Sequence, residues 1–168
     1  MAATFRDRLT LDEQAGSWFD QTRRYMLIRP EALMGIFRGL PEAAREQALA
    51  ALEASIFEQG SDSARAYGAM GGSGDALLEV VAQSAPQLGW GRWNFERHGE
   101  TLHLSVRNSP FAAGFGASTK PVCAAITGMM RAVATLMFDR KVQARELQCG
   151  AMGADSCRFE ARPLEGEI

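Results

Sequence analysis

A regular alternation of apolar and polar residues in the second half of the chain most constrains how it can fold. Leu102, Leu104 and Val106 occupy every second position of residues 100–107, which is the period of a β-strand with one buried face. Residues 90–97 form another strand-like run, and the His-Gly pair between the two runs is typical of a tight turn. These residues therefore predict a β-hairpin with one apolar face.

A second hairpin pattern follows after a long apolar segment. Residues 141–149 and 156–162 are strand-like, and the segment that joins them contains two glycines and an aspartate, which is typical of a turn. Between the two hairpins, residues 121–138 predict one long apolar helix. The order of these elements predicts an α+β fold in which an antiparallel sheet of about four strands packs against helices.

The first half of the chain has mostly helical periodicity, with apolar residues three or four positions apart. Proline near the start and glycine near the end mark the two clearest of these helices. A short strand is predicted over residues 24–28. The predicted helices cover residues 11–20, 30–39, 41–60, 62–70 and 75–85, with a flexible break at residues 71–74.

Length and composition predict one domain. The chain has 168 residues, of which 46% are hydrophobic, and a chain of this size can bury a core without disulfides. We expect this domain to span residues 11–163, to be helical to about residue 85, and to continue as sheet, long helix and cysteine-containing hairpin. Residues 1–10 are expected to form a flexible arm and residues 164–168 a tail.

Charge and hydropathy exclude several functional classes. The formal net charge of −2 gives no overall attraction to nucleic acid. No apolar run reaches the length of a membrane span, and the first residues lack the apolar region of a secretory signal. We therefore expect a cytoplasmic protein. The chain has neither a nucleophile elbow nor a dinucleotide-binding glycine motif, so no catalytic residue is assigned.

The three cysteines leave two interpretations open. Cys149 and Cys157 lie eight residues apart across the predicted turn, and Cys123 lies near the start of the long helix. With Glu146 they could form a four-coordinate zinc site. Glu146 and Cys149 have opposite parity on an ideal strand, so both can face one metal only if the strand bends or bulges between them. The alternative is that the cysteines are small apolar residues of the core.

Several segments resemble the 4-vinyl reductase domain, especially the version in sensor modules of aromatic-responsive transcriptional activators. They are Asn108-Ser109, the Pro-Val-Cys that ends at Cys123, and a Glu-x-x-Cys followed by Cys157 across a glycine-containing turn. The 26-residue separation between Cys123 and Cys149 is also similar to the family's spacing. Phenol-type sensors carry a tryptophan two residues before the Asn-Ser pair, where this chain has Val106. The identity of a ligand therefore does not carry over.

The resemblance implies a zinc ion close to a buried pocket for a hydrophobic small molecule. The four implied zinc ligands are Cys123, Glu146, Cys149 and Cys157. Because four protein ligands leave no open coordination position, such a zinc is structural. Three thiolates and one carboxylate leave a formal charge of −2 around Zn²⁺, and Lys120, Arg145 and Arg158 are the basic residues close enough in sequence to offset it.

The apolar segments around the long helix predict where a ligand pocket lies. We expect it between this helix, the first hairpin and a glycine-rich loop over residues 109–120 that could act as a lid. The predicted lining residues are Trp93, Phe95, Val106, Phe111, Phe115, Ile126 and Met130.

These expectations describe a binding or sensing domain for an apolar or aromatic small molecule, such as a hydrocarbon. Such a domain would act as a homodimer or through a regulatory protein partner. Two alternatives remain: a tetrapyrrole-binding protein associated with 4-vinyl reduction in (bacterio)chlorophyll synthesis, and a protein-interaction module without a ligand. Both alternatives also rest on the resemblance.

Overall fold

The computed structural model describes residues 4–69 and 74–164. The chain begins with a short helix, α1 (Phe5–Arg8), and three short strands, β1 (Leu9–Asp12), β2 (Ser17–Asp20) and β3 (Arg23–Tyr25), which form an antiparallel sheet in the order β1-β2-β3. Among the described residues no helix is both long and apolar enough to cross a membrane.

The structure corrects the sequence-based prediction for this N-terminal part. A helix over residues 11–20 is wrong, because a turn at Gly16 (φ +62°) reverses the chain between β1 and β2. The arm expected over residues 1–10 is regular from Phe5 onward, and Phe5 is buried. Residues 1–3 lie outside the described residues. The guanidinium of Arg8 donates two hydrogen bonds of 3.0 Å to the buried carboxylate of Asp20 and so ties α1 to β2.

Three helices follow: α2 (Pro30–Arg38), α3 (Glu42–Ala69) and α4 (Asp75–Ser84). The predicted bounds of α2 and α4 are confirmed. The predicted end of a helix near Gly60 is wrong, because α3 continues through this glycine. Gly60 is buried, and a Cβ atom there would lie 3.1 Å from the Met129 side chain. The glycine therefore allows a close helix contact rather than ending α3. Residues 70–73 of the predicted break lie outside the described residues.

The four-stranded sheet predicted from the two hairpins is confirmed. The antiparallel strands β4 (Arg92–His98), β5 (Thr101–Arg107), β6 (Val142–Gln148) and β7 (Cys157–Pro163) lie in the order β4-β5-β7-β6. Leu102, Leu104 and Val106 point to the buried face of β5, as their alternation predicted. Beyond β7, residues 165–168 of the expected tail lie outside the described residues.

Two helices connect the hairpins. Helix α5 (Pro110–Phe115) lies inside the segment expected to be a loop, which corrects that prediction: Pro110 occupies its first turn, and the Ser109 hydroxyl accepts a hydrogen bond from the backbone N–H of Ala112. Helix α6 (Ala124–Phe138) begins three residues after the predicted start, with Cys123 as its N-cap. It packs against β6 and β7 on one side and against α3 on the other.

Candidate metal centre and apolar core

The structure brings the four predicted metal ligands together. Cys123 caps the N-terminus of α6, Glu146 lies near the end of β6, Cys149 follows that strand, and Cys157 begins β7. One ligand atom from each residue lies within 4.8 Å of the others. The three thiols are buried, and the carboxylate is half-buried. We call these four residues the Cys–Glu cluster.

A β-bulge allows Glu146 and Cys149 to face the same point. The pairing of β6 with β7 shifts register between Glu146 and Gln148. A bulge inserts one residue and so reverses the side-chain alternation that follows it. The bulge that the sequence required for a shared metal site is therefore present.

The distances within the Cys–Glu cluster fit a tetrahedral metal. The Cys123 Sγ lies 3.6 Å from the Cys157 Sγ and 3.9 Å from the Cys149 Sγ. Zn–S bonds of about 2.3 Å in a tetrahedron place two sulfurs about 3.8 Å apart. In a disulfide the two sulfurs are only about 2.05 Å apart, and all three cysteines are free. The second Glu146 oxygen, Oε1, is buried without a hydrogen-bond partner, so this donor set fits zinc.

Backbone N–H groups offset the negative charge of the Cys–Glu cluster. The Cys123 N–H donates to the Glu146 Oε2 over 2.9 Å, and the Gly150 N–H donates to the Cys157 sulfur over 3.2 Å. The Ser109 hydroxyl lies 3.3 Å from the Cys123 sulfur. The sequence analysis did not find this role of Ser109, although the Asn-Ser pair of the motif marked its position.

The basic side chains expected to perform this task lie elsewhere, which corrects that expectation. The Lys120 Nζ contacts the carboxylates of Glu42 and Glu46 on α3. Arg145 pairs with Glu160 at 3.0 Å, and Arg158 is exposed. Arg145 and Arg158 occupy strand positions that point away from the buried sheet face.

The surroundings of the Cys–Glu cluster perturb its acid–base behaviour. Burial and the neighbouring Cys149 raise the pKa of Glu146 to about 8. Hydrogen bonds from the thiols of Cys123 and Cys149 lower the pKa of Cys157 to about 4, and the same contacts raise the pKa of Cys123 above its ordinary value. Without a metal the four residues therefore hold protons among them, and a divalent cation would replace these protons.

The seven residues predicted to line a pocket belong to one apolar cluster. Trp93, Val106, Phe111, Phe115, Ile126 and Met130 are buried, and Phe95 packs against them half-buried. Several of their rings are in contact: Phe95 lies edge-on to Trp93 at 5.9 Å, and Phe111 lies edge-on to Trp90 at 5.1 Å. The aromatic residues expected in a mobile loop are thus anchored on helix α5.

A groove of about 670 Å³ lies beside the Cys–Glu cluster. Helix α5, the loop that follows it and the turn after β6 form its walls, and Cys157 and Ser109 line its base. Of the seven predicted pocket residues, Val106 is the one that also lines this groove. The groove therefore reaches the candidate metal site from the opposite end to most of the aromatic residues.

Comparison with known proteins identifies the segment that holds the Cys–Glu cluster. Residues 102–163 match the sequence model of the 4-vinyl reductase domain. This match contains β5, α5, α6, β6 and β7, and with them all four cluster residues. No curated protein gives a significant sequence match to this chain.

Solved structures extend the likeness to the whole fold. The chain is similar to the phenol-responsive sensory domain of the transcription activator PoxR, with a TM-score of 0.78, 23% identity, and coverage of 99% of this chain and 94% of that one. A vinyl-4-reductase family protein from Methanocaldococcus jannaschii gives a TM-score of 0.52 at 14% identity, with coverage of 84% and 98%.

A third similar structure is a trafficking protein particle complex subunit 3 from Naegleria fowleri. Its TM-score is 0.56 at 14% identity, with coverage of 83% of this chain and 97% of that one. These likenesses concern the fold. They confirm the resemblance to the 4-vinyl reductase domain, which the family's sequence model locates at residues 102–163 of this chain.

Proposed function

We propose that this chain is a sensing domain that binds an apolar or aromatic small molecule and is stabilised by a structural zinc ion. The observation that carries the proposal is the likeness to a phenol-responsive sensory domain over 99% of the chain. The apolar cluster beside the Cys–Glu cluster agrees with it, because ligand sites of this kind are lined mostly by apolar and aromatic side chains.

In this proposal the zinc is held by Cys123, Glu146, Cys149 and Cys157, and its role is structural. When bound, it supplies a cross-link between separate parts of the fold. The four residues themselves come from the N-terminus of α6, from β6 and the turn after it, and from β7. Because four protein donors fill a tetrahedral coordination sphere, no position remains for an activated water.

The proposed ligand site is the cluster formed by the seven residues around Val106. Support comes from chemistry: the side chains are apolar, and the one indole N–H among them, that of Trp93, already donates to the Trp90 carbonyl over 2.9 Å. A relative of the same fold carries covalently bound palmitic acid, which agrees with an apolar ligand. We further propose that residues 11–163 act as one unit in the cytoplasm, as a homodimer or with a regulatory partner.

An interaction module is the second candidate function. Met26, Leu27 and Ile28 follow β3 directly and are 77%, 80% and 47% exposed. Consecutive exposed apolar residues of this size are typical of interaction surfaces. The trafficking-complex subunit among the similar structures agrees with this candidate.

A thermal-shift screen separates these candidates. Toluene, phenol, a monoterpene and a porphyrin are titrated against the wild-type chain and against Val106→Trp. We expect at least one compound to stabilise the wild type, by about 2.7 kcal/mol at a hundredfold excess over its dissociation constant. Val106 is fully buried between Trp93 and Cys157 on the neighbouring strands, so the larger indole should abolish binding of the larger compounds first.

Val142→Trp is the matched control, because Val142 is also buried but lies at the far end of the sheet on β6. It should lower the melting temperature without changing the ligand-induced shift. If no compound shifts the wild-type transition, the interaction-module candidate is favoured. If the porphyrin alone does so, the tetrapyrrole-binding alternative is favoured.

A further inference from the structure

The outer face of the four-stranded sheet carries a group of arginines at the end nearest the Cys–Glu cluster. Arg92 on β4 lies directly opposite Arg107 on β5. Arg158 on β7 lies opposite Ser105, two residues from Arg107 along β5. All three side chains are exposed, and they occupy the strand positions that alternate with the buried ones. We call these three residues the arginine triad.

The arrangement is electrostatically unfavourable in the isolated chain. Directly opposed residues of an antiparallel pair have Cβ atoms about 5 Å apart, and like charges at such positions repel. Within the described part of the chain, the three guanidinium groups make no ion pair or hydrogen bond. A chain whose net charge is −2 thus keeps three adjacent positive charges without a counter-charge.

The two carboxylates on the same sheet face are already engaged. Glu160 is buried and receives hydrogen bonds from Arg145 at 3.0 Å and Arg162 at 2.8 Å. Glu96 receives a hydrogen bond from the Asn94 side-chain amide and lies 3.8 Å from the His98 ring nitrogen. The nearest negative charges on this face therefore belong to other contacts.

The backbone holds two members of the triad in fixed positions. Gly91 precedes Arg92 with φ +86°, and a Cβ atom there would lie 2.5 Å from the Arg107 carbonyl oxygen. Asn108 follows Arg107 in a left-handed conformation with φ +57°, which asparagine tolerates better than most residues. The start of β4 and the end of β5 are thus locked together, so the repulsion between Arg92 and Arg107 is not relieved by a shift of register.

We propose that the arginine triad is a docking surface for an acidic protein segment. Arginine binds carboxylates in a planar, two-point geometry and is enriched at protein interfaces. A segment with several glutamate or aspartate side chains would supply the missing counter-charge. Outward positions of β4, β5 and β7 carry no Phe, Tyr or Trp, so the face lacks the stacking platform that single-stranded nucleic acids require.

This surface lies on the side of the sheet opposite the apolar cluster, and its argument does not depend on a ligand or on zinc. It gives the domain a second binding face. Because β5 and β7 each carry triad residues on one face and residues beside the Cys–Glu cluster on the other, a partner docked here would contact the same two strands.

The test uses the full chain and a synthetic peptide of eight glutamates with neutral ends. Binding is measured by fluorescence anisotropy of the labelled peptide at about 20 mM and about 200 mM salt, where screening is weak and strong. The variant is Arg92→Gln, Arg107→Gln and Arg158→Gln together. The control is Arg6→Gln, Arg24→Gln and Arg29→Gln, which makes the same charge change at exposed arginines on other elements.

We expect the triad variant to weaken peptide binding at least tenfold at low salt and the control to weaken it less than threefold. Equal losses in the two variants, or no binding by the wild type at low salt, would overturn the proposal. A single-stranded RNA that binds more tightly than the peptide and depends on the same arginines would assign the surface to nucleic acid instead.

A single variant gives an independent reading that does not need a partner. Arg107→Gln removes one of the two opposed charges, so its melting temperature should exceed that of the wild type by about 2 °C at low salt, and the difference should vanish at high salt. An unchanged or lower melting temperature at low salt would show that the arginines do not repel each other, and the proposal would lose its basis.

Discussion

Replacing Cys149 by serine is expected to release the metal and to lower the free energy of unfolding by about 4 kcal/mol or more, because binding energy at a structural zinc site is folding energy. Cys149 is fully buried, and its sulfur lies 3.9 Å from that of Cys123. Loss of this donor leaves Cys123, Glu146 and Cys157 buried close together without the cation that offsets their charge. Urea denaturation and zinc analysis of the same preparation measure both effects.

Ala151→Ser is the matched control for this variant. Ala151 is buried two residues after Cys149 in the same turn, but it is not a candidate ligand. We expect it to keep one zinc per chain and to lose much less stability. A Cys149→Ser protein as stable as the wild type would mean that the cysteines are ordinary core residues.

A glycine-to-alanine change at position 128 is expected to cost about 3 kcal/mol of stability, although alanine is the better helix former by about 1 kcal/mol. Gly128 lies where α6 crosses α3. A Cβ atom there would overlap the backbone carbonyl oxygen of Glu53 and lie 3.1 Å from the Phe57 nitrogen. Backbone atoms of a packed helix move little, so the two helices would have to separate.

Gly35→Ala is the control, because this glycine also lies inside a helix but its added Cβ atom would have only the end of the Arg38 side chain nearby, at 3.9 Å. There the helix-forming advantage of alanine is unopposed, and stability should rise by up to about 1 kcal/mol. The two substitutions should therefore change the urea midpoint in opposite directions. A rise at both positions would contradict the close α3–α6 contact.

The C-terminal half of the fold was predictable because its signals are local. The alternation of Leu102, Leu104 and Val106 defines the buried face of β5, and glycine-containing turns define the two hairpins. The parity of Glu146 and Cys149 even required the bulge that the structure contains. The Cys–Glu cluster could be predicted for the same reason: its residues lie at motif positions on strands and at a helix start.

The N-terminal sheet and the length of α3 could not be predicted because tertiary contacts decide them. Strands β1, β2 and β3 are three or four residues long, too short for a period to be recognised, and the Arg8–Asp20 ion pair that fixes them is not visible in a local pattern. Gly60 has the sequence signature of a helix end, yet its missing side chain makes room for Met129 on α6.

The pairing of charges was also beyond sequence reasoning. Lys120 and Arg145 are close to the cluster residues in sequence, but their side chains reach Glu42 and Glu46 on α3 and Glu160 on β7. Backbone amides of Cys123 and Gly150 face the cluster instead. Such donors depend on the path of the main chain and carry no residue-type signal, apart from the small residues that the turn requires.

Native mass spectrometry of the full chain, purified without chelator, tests the central claim most directly. The account predicts a mass equal to the chain plus one zinc ion, and a melting temperature that falls when a strong chelator removes this ion. A metal-free mass, together with a thermal transition that chelator leaves unchanged, would contradict the account and would leave Cys123, Cys149 and Cys157 as ordinary residues of the core.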